Sequence, residues 1–202
     1  MSPLLFRSTV DRGRPIAGRV LLVAVALATL GACATVRQDQ VGVRRTLGKV
    51  NERTITPGAQ LFVPGMQSIV RLPSRTVNRE VRLELPSKEG LNVVAEVSIL
   101  YRIRPEAAPR ILETSGVAYE DVIILPVFRS AAADVTARFM AKDMYGGERT
   151  AIERAIQQTM GQSLAPRGFL VEQVLLKSIR LPAGLAQAVE DKLEAEQRAE
   201  QM

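Results

Sequence analysis

Residues 91–104 read LNVVAEVSILYRIR, and the fold turns on this stretch. Leu91, Val93, Ala95, Val97, Ile99, Tyr101 and Ile103 alternate with mostly polar Asn92, Glu96, Ser98, Arg102 and Arg104. That is the period of a strand with one face in a core and the other toward water. Upstream, Arg75 to Leu85 alternates in the same way, with Val77, Val81, Leu83 and Leu85 on one side. Further upstream, Val41 to Val50 contains Gly42 and Gly48, and Thr56-Pro57-Gly58 and Val63-Pro64-Gly65 supply two Pro-Gly turns. Proline presets the first corner of such a turn and glycine takes the positive φ of the second. Several short strands in a mostly antiparallel sheet with one wet face are predicted.

Downstream the period changes. Leu125, Phe128, Ala132, Val135 and Phe139 step by three and four, the stripe of an amphipathic helix, and Pro126 places a kink or the start of the regular part there. Glu148 to Ala165 repeats the pattern through Ile152, Ile156, Met160 and Leu164, and Arg167-Gly168 supplies a stop. Phe169 to Leu181 reads as one more strand, closed by Pro182. Strands, then helices, then a final strand make an α+β fold. From Ala183 the chain turns to helix formers, with Leu185, Val189 and Leu193 on one face. Two readings of 183–202 stand side by side: a short solvated helix, or the start of a coiled coil.

The N-terminus has its own logic. Arg7, Arg12, Arg14 and Arg19 precede the apolar run VLLVAVALATL, and Arg37 ends the uncharged stretch Val20 to Val36. A basic segment followed by an apolar one is the pattern of a signal peptide, and the uncharged span lies at the short limit of the roughly 17 to 25 residues that cross a bilayer. Leu30-Gly31-Ala32-Cys33 then resembles the bacterial lipobox, in which the cysteine thiol receives a diacylglyceryl group. A lone cysteine is generally a buried one, but the single Cys of this chain falls where a lipoprotein signal needs it. The predicted organisation is a signal peptide or membrane anchor over 1–32, a tether over 33–40, the sheet-and-helix domain over 41–182, and the opening of a C-terminal helix over 183–202. An uncleaved spanning helix from about Arg19 to Arg37 is the alternative to lipidation at Cys33.

Composition narrows the function. The formal net charge is +6, but the four arginines against Asp11 place half of it in residues 1–32. The remaining arginines are interspersed with Glu, and no basic run with interleaved aromatics appears, so no nucleic-acid partner is expected. Histidine is absent, which removes Ser-His-Asp and Cys-His nucleophiles and the common transition-metal ligand sets. A Ser-Lys pair is the surviving catalytic possibility, and Lys49, Lys88, Lys142, Lys177 and Lys192 all sit in polar contexts. No catalytic residue, metal site or cofactor is expected.

Several strings, in order, resemble the SPFH or Band 7 family, in particular its prohibitin and stomatin branches. Ser87-Lys88-Glu89-Gly90 followed by the strand ending Tyr101-Arg102-Ile103-Arg104-Pro105 is similar to the family's "S-K-D-G … Y-R-I-x-P". Tyr119 with Ile124-Leu125-Pro126 resembles its helix start, with Arg129-Ser130 and Phe139 in the helix that follows. Gly168, Val171, Glu172, Val174, Ile179, Leu181 and Pro182 match "G-x-x-V-E-x-V … I-x-L-P". The tail Lys192 to Gln197 is similar to the opening of the family's coiled coil.

The resemblance implies a non-enzymatic, membrane-anchored scaffold. Its subunits would associate side by side into a homo-oligomer, contact membrane lipids, organise microdomains, and modulate a membrane-bound AAA protease or other membrane protein. The expected location is a bacterial envelope, with the domain on the periplasmic side and the inner membrane favoured over the outer. A monomeric periplasmic binding lipoprotein is the alternative, and a Ser-Lys hydrolase a more distant one.

Overall fold

The computed structural model describes residues 33–180 and Arg198. The signal peptide or anchor read over 1–32 lies outside the described residues. So does the C-terminal helix read over 183–202, apart from Arg198, which is helical and exposed.

The chain runs β1 (Cys33–Val36), β2 (Gln40–Thr46), β3 (Lys49–Ile55), β4 (Gly58–Leu61), β5 (Gln67–Pro73), β6 (Val77–Pro86) and β7 (Asn92–Ile103). Four α-helices follow, α1 (Ala108–Ser115), α2 (Leu125–Thr136), α3 (Ala141–Tyr145) and α4 (Arg149–Leu164), before the last strand, β8 (Phe169–Arg180). This is the predicted α+β order, antiparallel strands, then helices, then a closing strand. The strands divide among three antiparallel sheets, β1-β4, β3-β2-β5 and β6-β7-β8, where one sheet was expected.

The decisive stretch is the middle strand of its sheet. Val93, Ala95, Val97, Ile99, Tyr101 and Ile103 are at most 1 % exposed. Ser98, on the face read as wet, is also buried, because β7 has a neighbour on either side and Asn78 of β6 accepts its hydroxyl. Helix α4 covers β8 through Ile152, Ile156, Met160 and Leu164, all fully buried at the predicted spacing. Helix α2 packs on α4 and on β6. Its regular part starts at Leu125 with Pro126 in the first turn, where no backbone N–H is needed, and a π-turn, Glu120–Ile124, leads into it.

Within the stretch expected as a tether over 33–40, Cys33–Val36 is strand β1, paired with β4 from Cys33 opposite Leu61 to Val36 opposite Gly58. Packing gives the reason. Ala34 and Val36 are buried, and Val36 reaches over β2 at Gly42, where a Cβ would stand 2.9 Å from Val36 Cγ2. Only a residue without a side chain lets the two ribbons lie this close. The same four residues can no longer belong to a spanning helix that runs to Arg37.

Candidate functional site

Cys33 is exposed and carries a free thiol at the outer end of β1. Its register partner, Leu61, is 74 % exposed, high for a leucine. What surrounds this pair follows from two turns. The β2–β3 hairpin closes on Leu47-Gly48, both at positive φ (50° and 84°), the signature of a two-residue turn matched to strand twist. That turn points Leu47, 72 % exposed, away from the sheet. The β4–β5 connection turns at Val63-Pro64-Gly65, with Gly65 at φ 86° as its Pro-Gly sequence predicts. There the Met66 N–H donates to Val63 O at 3.3 Å and the Val63 N–H to Gln67 Oε1 at 3.3 Å.

The two turns are tied together. The Leu47 N–H donates to Met66 O at 2.8 Å, and Arg44 Nη2 donates to Leu61 O at 3.3 Å. Leu47, Leu61, Val63 and Met66, four large apolar side chains exposed to solvent, thus stand at one end of the domain beside Cys33. Arg44, Arg45 and Lys49 flank them along the hairpin. An apolar tip with a basic collar suits a surface that is apolar inside and anionic at its boundary.

The sequence named Cys33 and the Pro-Gly turn but not the tip. Leu61-Phe62-Val63 reads as ordinary strand content until the pairing of β1 with β4 shows which end faces out. Of the lysines weighed as bases, Lys49, Lys88, Lys142 and Lys177 are exposed, Lys177 is paired with Glu80, and Lys192 lies outside the described residues. Among the described residues no group of His, Cys, Asp and Glu is arranged to hold a metal ion.

A second cluster is internal. Tyr101 Oη donates to Glu120 Oε1 at 2.6 Å, and Arg79 lies 3.7 Å from Glu120 and 3.7 Å from Asp121. Burial, and then the bond to Glu120, pushes the Tyr101 hydroxyl far above its ordinary range, and burial raises Tyr119 as well. Phe169 touches both rings, at 6.4 Å from Tyr101 edge-on and 5.8 Å from Tyr119. This cluster locks the π-turn onto β7 and β6.

Antiparallel strands followed by helices and a returning strand, with an apolar end beside a free cysteine, make a small α+β domain. The chain belongs to the SPFH domain / Band 7 family, whose sequence profile matches residues 34–202. Prohibitins are among its curated relatives. It is 27 % identical over 155 residues to prohibitin 1 of Drosophila melanogaster, covering 75 % of this chain and 54 % of the relative. Prohibitin-1 of Colletotrichum higginsianum is 25 % identical over 154 residues, 76 % of this chain and 56 % of the relative. The mitochondrial prohibitin complex protein 1 of Caenorhabditis elegans is 24 % identical over 189 residues, 91 % of this chain and 68 % of the relative. The chain thus spans about half the length of most of these relatives.

Proposed function

We infer that this chain is a membrane-apposed scaffold subunit, tethered through a diacylglyceryl group on Cys33, that holds its tip against the bilayer and associates laterally with its own copies. The observation that carries the reading is the apolar tip of Leu47, Leu61, Val63 and Met66, in which Leu61 is in register with Cys33. Palmitate-class chains on the cysteine would contribute about 0.8 kcal/mol per buried methylene, and two or more give a stable anchor where one would be marginal. Acylation at the first residue of β1 leaves no slack, so the lipid would draw the tip to the headgroups. A lipid anchor is favoured over a spanning helix because the uncharged stretch left outside β1, 20–32, is shorter than the roughly 17 residues needed to cross. Among the described residues no helix is long and apolar enough to cross a membrane.

Kinship with prohibitins supports the scaffold role, without turnover of its own. The lipobox-like stretch Leu30 to Cys33 is what supports the periplasmic side of a bacterial envelope membrane, the inner one favoured. One relative's name places that protein in a mitochondrial prohibitin complex, which supports assembly here. A membrane-bound AAA protease or another membrane protein is the class of client proposed.

The test is metabolic labelling with an acyl analogue together with flotation on vesicles of anionic lipid. Cys33→Ala should lose the label. Leu61→Glu/Met66→Glu should keep the label and lose tip-dependent vesicle binding of the unacylated domain. Equal labelling of Cys33→Ala and the parent would overturn the lipoprotein reading, and unchanged flotation of the double variant would overturn the tip.

A further inference from the structure

The opposite turns of the domain carry a different surface. Arg104 follows the last residue of β7, Arg110 lies in the first half of α1, and Arg167 ends the short 3-10 turn Ala165–Arg167. Gly168 fixes their relation. Its φ is 91°, and a Cβ there would stand 2.0 Å from Ala107 Cβ, so any side chain would drive the two arginine-bearing turns apart. Across the same contact the Arg104 N–H donates to Gly168 O at 2.9 Å.

The turns enclose two adjoining hollows of about 370 and about 340 Å³ that share Arg110 and Arg167 as walls. Thr114 and Ser115 add hydroxyls to the first, and Arg104 adds a third guanidinium to the second. Glu106 lines the second hollow without pairing with any of the three. Arg104, Arg110 and Arg167 have no carboxylate within 4.0 Å, which they share with most described arginines; what sets them apart is that they line the same pair of hollows. Three guanidiniums against the single carboxylate of Glu106 leave this concave surface net positive, which draws an anion. Guanidinium forks match the geometry of phosphate oxygens, and the hydroxyls of Thr114 and Ser115 suit the same ligand. Val122, 57 % exposed, forms an apolar shoulder to the first hollow.

We propose that Arg104, Arg110 and Arg167 form a binding site for a phosphate group, borne by an anionic lipid headgroup or by a soluble phosphate ester whose carbon skeleton rests on Val122. The site is separate from the apolar tip and does not depend on acylation.

The experiment is a calorimetric titration of the full chain, in mild detergent, with inorganic phosphate. Saturable one-site binding is expected, weakened about tenfold or more in Arg110→Gln/Arg167→Gln. Binding should be weakened less in Arg110→Lys/Arg167→Lys, which keeps the charge but loses the fork, and unchanged in Arg82→Gln, an exposed arginine of β6. Both double variants should melt with the parent, since the side chains are exposed, and the lysine pair keeps the comparison valid if the glutamine pair does not. In a second arm, phosphatidylcholine vesicles with and without phosphatidic acid identify the source. The tip contributes its own increment from phosphatidic acid, so the comparison is with the glutamine pair: an increment that the pair reduces marks a headgroup site, and an increment that the pair leaves unchanged alongside intact phosphate binding in the parent marks a soluble ester. Absence of saturable phosphate binding in the parent, or an equal loss in Arg82→Gln, would overturn the site.

Discussion

Phe128 has no exposed surface and stands on the inner face of α2, among the core side chains that α2 and α4 turn toward the last sheet. Phe128→Ala should cost about 3 to 5 kcal/mol in chemical denaturation of the soluble domain, because a cavity is left where the ring was. An unchanged unfolding midpoint would show that the ring does not fill the core. Tyr101 makes a different kind of claim, about pH. Its hydroxyl is favoured neutral in the folded state by burial and by Glu120. The contribution is therefore whole below the ordinary tyrosine value of 10.0 and is lost as pH rises beyond it, where the unfolded chain ionises first. Tyr101→Phe should cost about 1 kcal/mol at neutral pH and flatten the alkaline fall in stability. Tyr119, shifted in the same direction, stays in both proteins as a constant background. An alkaline limb as steep as the parent's would exclude Tyr101 as its source.

Among the elements, α3 is the least able to stand alone, at only five residues. It is held from outside, by the turn between β6 and β7. Glu89 Oε1 accepts the Ala141 N–H at 2.9 Å, and the Lys88 N–H donates to Phe139 O at 2.8 Å. A carboxylate on a free N–H at a helix start does the work of an N-cap. Glu89→Ala should lower stability at neutral pH by about 0.5 to 2 kcal/mol, read by urea titration. The Ala141 N–H holds the Glu89 carboxyl below its ordinary value of 4.5, so this contribution is present above that value and disappears as pH falls through the folded one. Parent and variant should converge in acid, and a gap that persists there would show that packing rather than charge is responsible. The turn sequence Ser87 to Gly90 was legible as a motif, but its role as a clamp was not, since the clamp joins positions far apart in the chain. Helices α2 and α4 were legible because their stripes run for three turns or more. Helix α1 was missed: it has eight residues, its buried Ile111 and Leu112 are too few to set a period, and 3-10 turns blur both ends.

For the whole molecule, the strand and helix order could be read from alternation and stripe, and the division into three sheets could not. The pairing of β1 with β4 and of β2 with β5 rests on contacts such as Val36 over Gly42, which leave no periodic mark. The tip escaped for a related reason, since an exposed leucine and a core leucine are the same letter until pairing assigns them an end. Strands β3, β5, β6 and β8, and likewise β1 and β4, each have one neighbour within their sheets and so leave hydrogen-bonding edges. Confinement on a membrane raises effective concentration and replaces much of the translational freedom that a soluble encounter must lose. Acylated protein extracted in mild detergent should therefore scatter light as an oligomer, while the same chain with Cys33→Ala should scatter as a smaller species at equal concentration. A monomer in both would leave the binding-lipoprotein reading in place of the scaffold.

Leu47 has a consequence of another kind. It occupies a left-handed position, φ 50°, that asparagine before glycine fills with less strain. A non-glycine residue held there costs on the order of 1 to 3 kcal/mol. Leu47→Asn should thus move two observables in opposite directions, raising the melting temperature of the isolated domain while weakening its adhesion to anionic vesicles. Damaged proteins lose both together. A gain in one coupled to a loss in the other would identify this leucine as a residue kept for the surface it touches at the expense of the turn it sits in.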